Sequence, residues 1–149
     1  MSVTASMSGS NRGVLAPLRR EHKELMLQLG FVVKGIASSP PDSSEVLGTL
    51  IEDFGARLET HFKHEEESLY GPLVSALGKA SAVSPMMDGH RAMRRASKEM
   101  MVALAEYRAR QRPGARAALE EKVGSLHRIV EEYVRKEEKV VFWIAELTL

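Results

Sequence analysis

Apolar residues recur in four stretches of the chain at alternating steps of three and four positions, the spacing of one face of an α-helix. The stretches cover residues 15–36, 47–69, 86–107 and 119–147. None of them shows the sustained alternation of apolar and polar residues that a half-buried strand requires. The pattern therefore predicts four long amphipathic helices and no β-sheet.

Short segments rich in Ser, Gly and Pro separate the helical stretches at residues 38–42, 78–85 and 112–114. Such segments favour turns, and connections this short make consecutive helices antiparallel. The chain is therefore predicted to fold as an all-α, up-down-up-down four-helix bundle. Gly71 and Pro72 are expected to kink or loosen the last turns of the second helix, because proline removes a helical hydrogen bond.

The chain has 149 residues, 44% hydrophobic and 28% charged, which suits one domain with a buried core. Residues 1–13, rich in Ser and Gly, are predicted to be a disordered tail, and residues 14–149 the bundle. The net charge of +1 gives no reason to expect a nucleic-acid partner. No apolar run approaches the roughly 20 residues of a membrane span, and no signal peptide is recognisable. We therefore expect a cytoplasmic protein with no membrane partner.

Polar residues occupy positions of the helical faces where apolar residues are expected. Burying a carboxylate or an imidazole is costly unless it is paired or bound to a metal. A single buried histidine is most simply a core residue bonded to a backbone carbonyl. In an alternating bundle, however, all of these residues fall in roughly one layer toward one end, which favours a common site. They are His22, His61, Glu65, His90, Tyr133 and Glu137.

The spacing within this set is suited to metal binding. Residues four apart share a helix face, so His61 points the same way as Glu65, and Tyr133 the same way as Glu137. Imidazole suits iron, copper, nickel and zinc, and carboxylates can bridge two cations. The chain has no cysteine, so any metal must be held by nitrogen and oxygen. The Glu-x-x-His and His-Glu-x-x-His patterns of other metal sites are absent.

Four segments of the chain resemble the hemerythrin-like (HHE cation-binding) family: residues 18–25, residues 61–70, His90 and residues 135–142. The resemblance implies a four-helix bundle that holds two iron ions joined by an oxo or hydroxo bridge. It assigns Glu65 and Glu137 as the carboxylates that bridge both irons. The iron ligands that it implies are His22, His61, Glu65, His90 and Glu137.

Tyr133 departs from the family, which has a histidine at this position. We favour a phenolate ligand to ferric iron over a core tyrosine whose hydroxyl bonds Glu137 or a histidine. Trp143 stands where proline is common. His64 is a candidate to support a ligand without binding metal itself, and His127 lies too far along its helix, about 15 Å from Glu137.

The remaining polar residues near these positions are expected to face solvent, and the methionines of the third helix to pack in the core. The expected solvent-facing residues are Glu66, Glu67, Glu138, Arg91, Arg94, Arg95 and Lys98. The methionines are Met86, Met93 and Met100.

Three functions remain open. Oxygen-carrying hemerythrins use more histidines, and the anionic ligand offered by Tyr133 would stabilise ferric iron. This favours a di-iron oxidoreductase that reacts with hydrogen peroxide or nitric oxide, peroxidase- or catalase-like, with an unknown reductant. The alternatives are an oxygen or nitric-oxide sensor or carrier without turnover, and a structural bundle that binds zinc adventitiously. We expect a monomer or weak homo-oligomer.

Overall fold

The computed structural model describes residues 2–38, 44–78 and 83–149, and within these ranges the chain is helical, without strands. Two π-helical turns join α2 to α3 and α5 to α6 without a break, so the chain forms four long rods. The elements are α1 Ser2–Ser38, α2 Ser44–Glu65, the first π turn Glu66–Tyr70, α3 Gly71–Leu77, α4 Val83–Arg110, α5 Pro113–Lys136, the second π turn Glu137–Val141 and α6 Phe142–Thr148. The predicted all-α four-helix bundle is confirmed.

The rods pack in a ring. Both α2 and α5 lie against α1, and the same two helices lie against α4, which places α1 and α4 at opposite corners. None of the helices in the described part of the chain is long and apolar enough to cross a membrane.

The helix ends follow local backbone chemistry. Gly78 ends α3 with a φ of +90°, and its N–H bonds the carbonyl of Val74. Pro113 occupies the first turn of α5, where its missing N–H costs nothing, as the predicted break at 112–114 requires. The predicted loop 78–85 is too long, because α4 already begins at Val83. The loop at 38–42 lies outside the described residues except for Ser38.

Residues 2–13 have helical backbone as the start of α1, whereas the sequence predicts a disordered tail there. Gly and Ser are weak helix formers, and Pro17 cannot donate a hydrogen bond to the carbonyl of Gly13. A helix of this composition has little stability of its own. Disorder of residues 1–13 in solution therefore stays a prediction, which hydrogen exchange would test.

Two apolar clusters fill the interior, and the predicted polar layer lies between them. The larger cluster includes Leu25, Phe62 and Met93, and the smaller one includes Leu18 and Leu69. His22, for example, stands between Leu18 and Leu25 on α1. The polar layer is therefore closed off above and below by apolar side chains.

The π turns change which residues face this layer. Pro72 lacks an N–H and would clash with the carbonyl four residues earlier in a regular α-helix. The first π turn avoids this strain, and the N–H of Gly71 bonds the carbonyl of Glu66, five residues back. The predicted irregularity at Gly71 and Pro72 is this π turn. The second π turn, in which Phe142 bonds the carbonyl of Glu137, was not predicted.

Candidate metal centre

The structure brings together five residues of the predicted layer, three histidines and two glutamates, which come from all four rods. Their exposed fractions do not exceed 4%, so the layer is closed to bulk water. The five are His22 of α1, His61 and Glu65 of α2, His90 of α4 and Glu137 of the second π turn.

Four of these side chains form a tight cluster. Donor atoms of His22, His61, Glu65 and Glu137 lie within 4.8 Å of one another. Nε2 of His22 is 2.9 Å from Oε1 of Glu137 and 3.2 Å from Oε2 of Glu65. Nε2 of His61 is 3.2 Å from Oε1 of Glu65.

His90 and Tyr133 contact the same two carboxylates. Nε2 of His90 is 2.9 Å from Oε1 of Glu65, and the Tyr133 hydroxyl donates to Oε2 of Glu137 at 2.6 Å. The two oxygens of Glu137 thus face different neighbours, His22 through Oε1 and Tyr133 through Oε2. In Glu65, Oε1 faces both His61 and His90, and Oε2 faces His22.

Two buried atoms of the layer lack a hydrogen bond. They are Nε2 of His61 and Oε1 of Glu137. Both have an ionisable neighbour within 3.2 Å, but the angles do not suit a hydrogen bond. Buried polar atoms without partners are rare because they are costly. Lone pairs that converge in this way fit a cation, and the set of imidazole, carboxylate and phenol donors fits iron, manganese or zinc.

The outward nitrogen of each histidine in the layer donates to a carboxylate. An ionised carboxylate only accepts hydrogen bonds, so this contact places the proton on Nδ1 and leaves Nε2 as the inward atom. Such outer partners orient histidine ligands and raise their basicity. Each Nδ1–O distance is 2.7 Å, and the pairs are His61 with Glu21, His90 with Glu66 and His22 with Glu138.

Two of these outer carboxylates correct the sequence analysis, which expected Glu66 and Glu138 to face solvent. Their side chains are only 26% and 36% exposed, and each contacts a histidine of a neighbouring helix. Each follows a core glutamate by one residue, about 100° around the helix, which points it at the adjacent helix rather than at water. Glu67 is exposed as expected.

Arg94 was also expected on a solvated face, and this is wrong. It makes ion pairs with Glu59 at 2.8 Å and Glu66 at 2.9 Å. Its neighbours in the same basic run, Arg91, Arg95 and Lys98, are exposed as expected.

Tyr70 is a site residue that the sequence analysis missed. It is 1% exposed, its hydroxyl contacts both the Tyr133 hydroxyl and Oε2 of Glu137, and its ring lies 5.1 Å from that of His90. In a regular helix Tyr70 would point about 140° away from Glu65. The π turn adds a residue to the turn and brings Tyr70 into the layer. The only signal was the Gly71-Pro72 pair that follows it.

Phe142 was missed for the same reason, since it lies five residues after Glu137 across the second π turn. Its ring stacks on that of His22, with centroids 5.4 Å apart and planes inclined by 7°. The contact covers one face of the imidazole and holds its plane. Neighbouring Trp143 is 58% exposed and takes no part in the layer.

Tyr133 is 7% exposed and packs against Gly89 of α4. A Cβ atom at Gly89 would lie 2.8 Å from Cδ2 and Cε2 of the Tyr133 ring, too close for any other residue without a shift. Burial raises the pKa of both Tyr133 and Tyr70, and the charges of Glu137 and Glu65 raise it further. Both phenols are therefore neutral without a metal.

The remaining histidines lie outside the layer. His64 donates from Nδ1 to Oε2 of Glu21 at 2.7 Å, and Glu21 in turn accepts from His61. His64 thus touches the carboxylate that orients His61, and its own side chain is 37% exposed. His127 faces Glu131 at 3.9 Å on the surface of α5.

Burial and mutual contacts shift the pKa values of Glu65, Glu137 and His22 in the metal-free state. Burial raises the pKa of Glu65 well above its usual range, and the charge of Glu137 adds to this. Burial acts in the same sense on Glu137, but its contacts with Glu65 and His22 outweigh burial and lower its pKa to about 2. Burial lowers the pKa of His22, but its contacts with Glu137 and Glu65 prevail and raise it to about 9. Without a metal, the layer therefore favours the protonated forms of Glu65 and His22 and the ionised form of Glu137.

Two surface grooves reach the edge of the layer. One, of about 340 Å³ between α1 and α2, is lined in part by His61. The other, of about 390 Å³ between α3 and the start of α4, is lined in part by Tyr70 and Glu66. The two grooves therefore border the layer on two sides.

Comparison with known proteins agrees with this geometry. The profile of the hemerythrin HHE cation binding domain matches residues 14–145, which is nearly the whole described chain. No curated protein and no solved structure gave a significant match. The family match and the buried cluster of histidines and glutamates both indicate a cation-binding protein. The chain belongs to the hemerythrin HHE cation-binding family.

Proposed function

We propose that this chain holds two iron ions in the polar layer and consumes hydrogen peroxide, with or without nitric oxide as a second substrate. The observation that carries the proposal is that two buried glutamates contact donors from several helices: Glu65 contacts His22, His61 and His90, and Glu137 contacts His22 and Tyr133. The proposed ligands are His22, His61, Glu65, His90, Tyr133 and Glu137.

The donors divide into two positions. His22 and His61 would hold one iron, and His90 and Tyr133 the other, with the two glutamates shared. A metal ion bound by His22 and His61 would displace one proton from the His22 imidazole and one from the Glu65 carboxyl group, because both groups face the inside of the layer. The outer carboxylates then keep each imidazole in the orientation that the metal requires.

We propose iron for two reasons: the chain belongs to the hemerythrin HHE family, and the layer offers carboxylate oxygens and a phenol, which are hard donors. When bound, iron would relay the two electrons that reduction of peroxide to water requires, and these come from a second peroxide molecule, from nitric oxide or from the reductant. An anionic phenolate in place of a neutral imidazole favours the ferric state, which suits reaction with peroxide better than reversible oxygen carriage. The protein itself would exclude bulk water through the two apolar clusters and admit small oxidants through the grooves.

Tyr70 would serve this chemistry as a hydrogen-bond donor inside the layer. Its hydroxyl contacts Glu137 and Tyr133, and Tyr70 is one of the residues that line the groove between α3 and α4. A neutral phenol at this point can donate to a small oxidant that enters from the groove. The physiological reductant is not identified by the chain, and we propose action in the cytoplasm as a monomer or weak homo-oligomer.

The proposal is tested with iron-loaded protein, Tyr133→Phe and Tyr107→Phe. Tyr107 is also buried on α4 but lies in the larger apolar cluster, so its variant removes the same hydroxyl away from the layer. We expect two irons per chain, peroxide consumption, and a visible phenolate-to-iron band that only Tyr133→Phe abolishes. Absence of iron binding, or iron-loaded protein inert to peroxide with and without nitric oxide, would refute the proposal.

One observation favours a second candidate, an oxygen or nitric-oxide sensor or carrier without turnover. The Tyr133 hydroxyl already has a good acceptor in Glu137 at 2.6 Å, as a core tyrosine would. In that case the wild type and Tyr133→Phe would have the same near-ultraviolet bands and no phenolate band. Binding of the gas would then be stoichiometric and reversible.

A further inference from the structure

Arg94 lies one turn after His90 on α4 and bonds two glutamates of the second rod, Glu59 of α2 and Glu66 of the first π turn. Its Nε and Nη2 donate to the carboxylate of Glu59 at 2.8 and 3.1 Å. Its Nη1 and Nη2 donate to the carboxylate of Glu66 at 2.9 and 3.2 Å. Oε2 of Glu66 also accepts the Nδ1–H of His90 at 2.7 Å, so Arg94 and His90 share one carboxylate.

A second contact links Arg94 to His90 through Phe62. The guanidinium carbon of Arg94 lies 5.1 Å from the centroid of the Phe62 ring, within cation–π range. The Phe62 ring lies 4.3 Å from the ring of His90, with planes inclined by 30°. Glu59, Phe62 and Glu66 are three and four residues apart and share one face of the second rod. Arg94 therefore spans two turns of this rod and touches two of the groups that border the His90 ring, Glu66 and Phe62.

Among the three histidines of the layer, His90 is the one whose outer carboxylate is held by an arginine. It is the one predicted ligand on α4, so its position depends on how α4 sits against α2. The carboxylates behind His22 and His61 are Glu138 and Glu21, and within the described ranges neither forms an ion pair with an arginine. Glu66 differs, because it accepts hydrogen bonds from two residues of α4, His90 and Arg94.

We propose that Arg94 is a positioning residue for the iron held by His90. It fixes Glu66 behind the imidazole and Phe62 beside it, so that Nε2 of His90 stays directed at Glu65. This inference rests on the proposed function, since it takes His90 as a ligand. Its consequence is that the two metal positions respond differently to loss of Arg94: the position of His90 weakens, and that of His22 and His61 does not.

The test uses the full chain loaded with ferrous iron without oxygen, and Arg94→Gln, Arg94→Lys and Arg91→Gln. Arg91→Gln is the matched control, because it removes the same charge from the same helix, and Arg91 pairs with exposed Asp88 alone among the described residues. Iron per chain is counted after gel filtration, and its removal by a ferrous chelator is followed in time. Loss of outer partners typically weakens metal sites about 10- to 100-fold.

We expect two release phases, of which Arg94→Gln accelerates one by about tenfold and leaves the other unchanged. The rate of this phase in Arg94→Lys should lie between those of the wild type and Arg94→Gln, because an ammonium group keeps the charge but not the planar shape that lets a guanidinium bond two carboxylates. In the metal-free protein, the downfield proton resonance of the His90 Nδ1–H should broaden in Arg94→Gln and not in Arg91→Gln. Circular dichroism checks that each variant is folded.

The inference is overturned if Arg94→Gln releases both irons at the rates of Arg91→Gln, or accelerates both phases alike. These results would leave the proposed function standing. A wild type that binds no iron would instead refute the proposed function. In that case an unchanged His90 proton resonance in Arg94→Gln would overturn the positioning role as well.

Discussion

Gly89→Ala tests whether the Tyr133 ring lies where the structure has it. Alanine normally stabilises a helix interior relative to glycine by about 1 kcal/mol. At Gly89, however, the new methyl group would lie 2.8 Å from two ring carbons of Tyr133, whereas ordinary contact begins at 3.4 Å. The ring must therefore retreat by about 0.6 Å. Retreat is restricted, because its hydroxyl is held by Glu137 and touches Tyr70.

The net effect follows from two opposing magnitudes. Forcing a group into a packed interior typically costs about 1–3 kcal/mol. After the helical gain, Gly89→Ala should lower the free energy of unfolding by about 0–2 kcal/mol. In the Tyr133→Val variant the ring carbons are gone. Adding Gly89→Ala to that variant should therefore raise the free energy of unfolding by about 1 kcal/mol. The coupling between the two sites is then about 1–3 kcal/mol.

Urea unfolding of the four metal-free proteins measures this coupling, provided that the slope with denaturant is unchanged. Gly30→Ala is the control, because a Cβ there meets no atom within 4 Å, and it should show only the helical gain. In iron-loaded protein, the displaced phenol should also shift the phenolate band. If Gly89→Ala stabilises the chain as much as Gly30→Ala does, the ring does not pack on Gly89 and the reasoning fails.

Three further predictions concern the metal. Removing iron with a chelator should lower Tm, because a ligand bound only to the folded chain stabilises it; an unchanged Tm would count against a buried site. Metal affinity should rise from pH 6 to 9, because His22, with a pKa of about 9, and Glu65 must lose protons; titration calorimetry in two buffers should show proton release. Glu138→Ala should weaken metal binding about 10- to 100-fold, whereas Glu132→Ala, at an exposed glutamate of the same rod, should not; equal affinities would contradict the orienting role.

The same pKa shift of His22 affects the stability of the metal-free fold. Its folded pKa of about 9 exceeds the usual value of 6.5, so the folded chain binds this proton more tightly than the unfolded chain does. The stabilisation is complete below pH 6.5 and is lost as the pH rises through 9. The iron-loaded protein should not show this loss, because the metal has already replaced the proton.

The layer of buried polar residues could be predicted because helical periodicity is visible in the sequence. His61 and Glu65 occupy positions that Leu or Phe would otherwise fill, and their spacing of four puts them on one face. His22 and His90 interrupt apolar faces in the same way. These are properties of single helices, and they do not depend on how the helices are rotated against each other.

The supporting residues depend on such rotations and could not be predicted. Extrapolating from Glu65 at 3.6 residues per turn places Tyr70 on the wrong face, because the π turn is not part of that period. Pro72 hinted at one irregular turn, but the second has no proline to mark it. The partners of Glu66 and Glu138 lie on other helices, and charge alone made both look like surface residues.

The outer carboxylates follow a rule that accounts for the departure at Tyr133. Each one is adjacent in sequence to a predicted ligand of its own rod and bonds a histidine of the next: Glu21 serves α2, Glu66 serves α4 and Glu138 serves α1. By this rule a residue next to His90, either Gly89 or Arg91, would bond the ligand at position 133 of α5. Gly89 has no side chain and makes room for a large ring, and Arg91 pairs with Asp88. A histidine at 133 would thus lack the acceptor that the other three positions have, whereas a phenol has no outward N–H to satisfy. Gly89 and Tyr133 are therefore complementary in size, and Gly89 makes room for the phenol that takes the place of the family histidine.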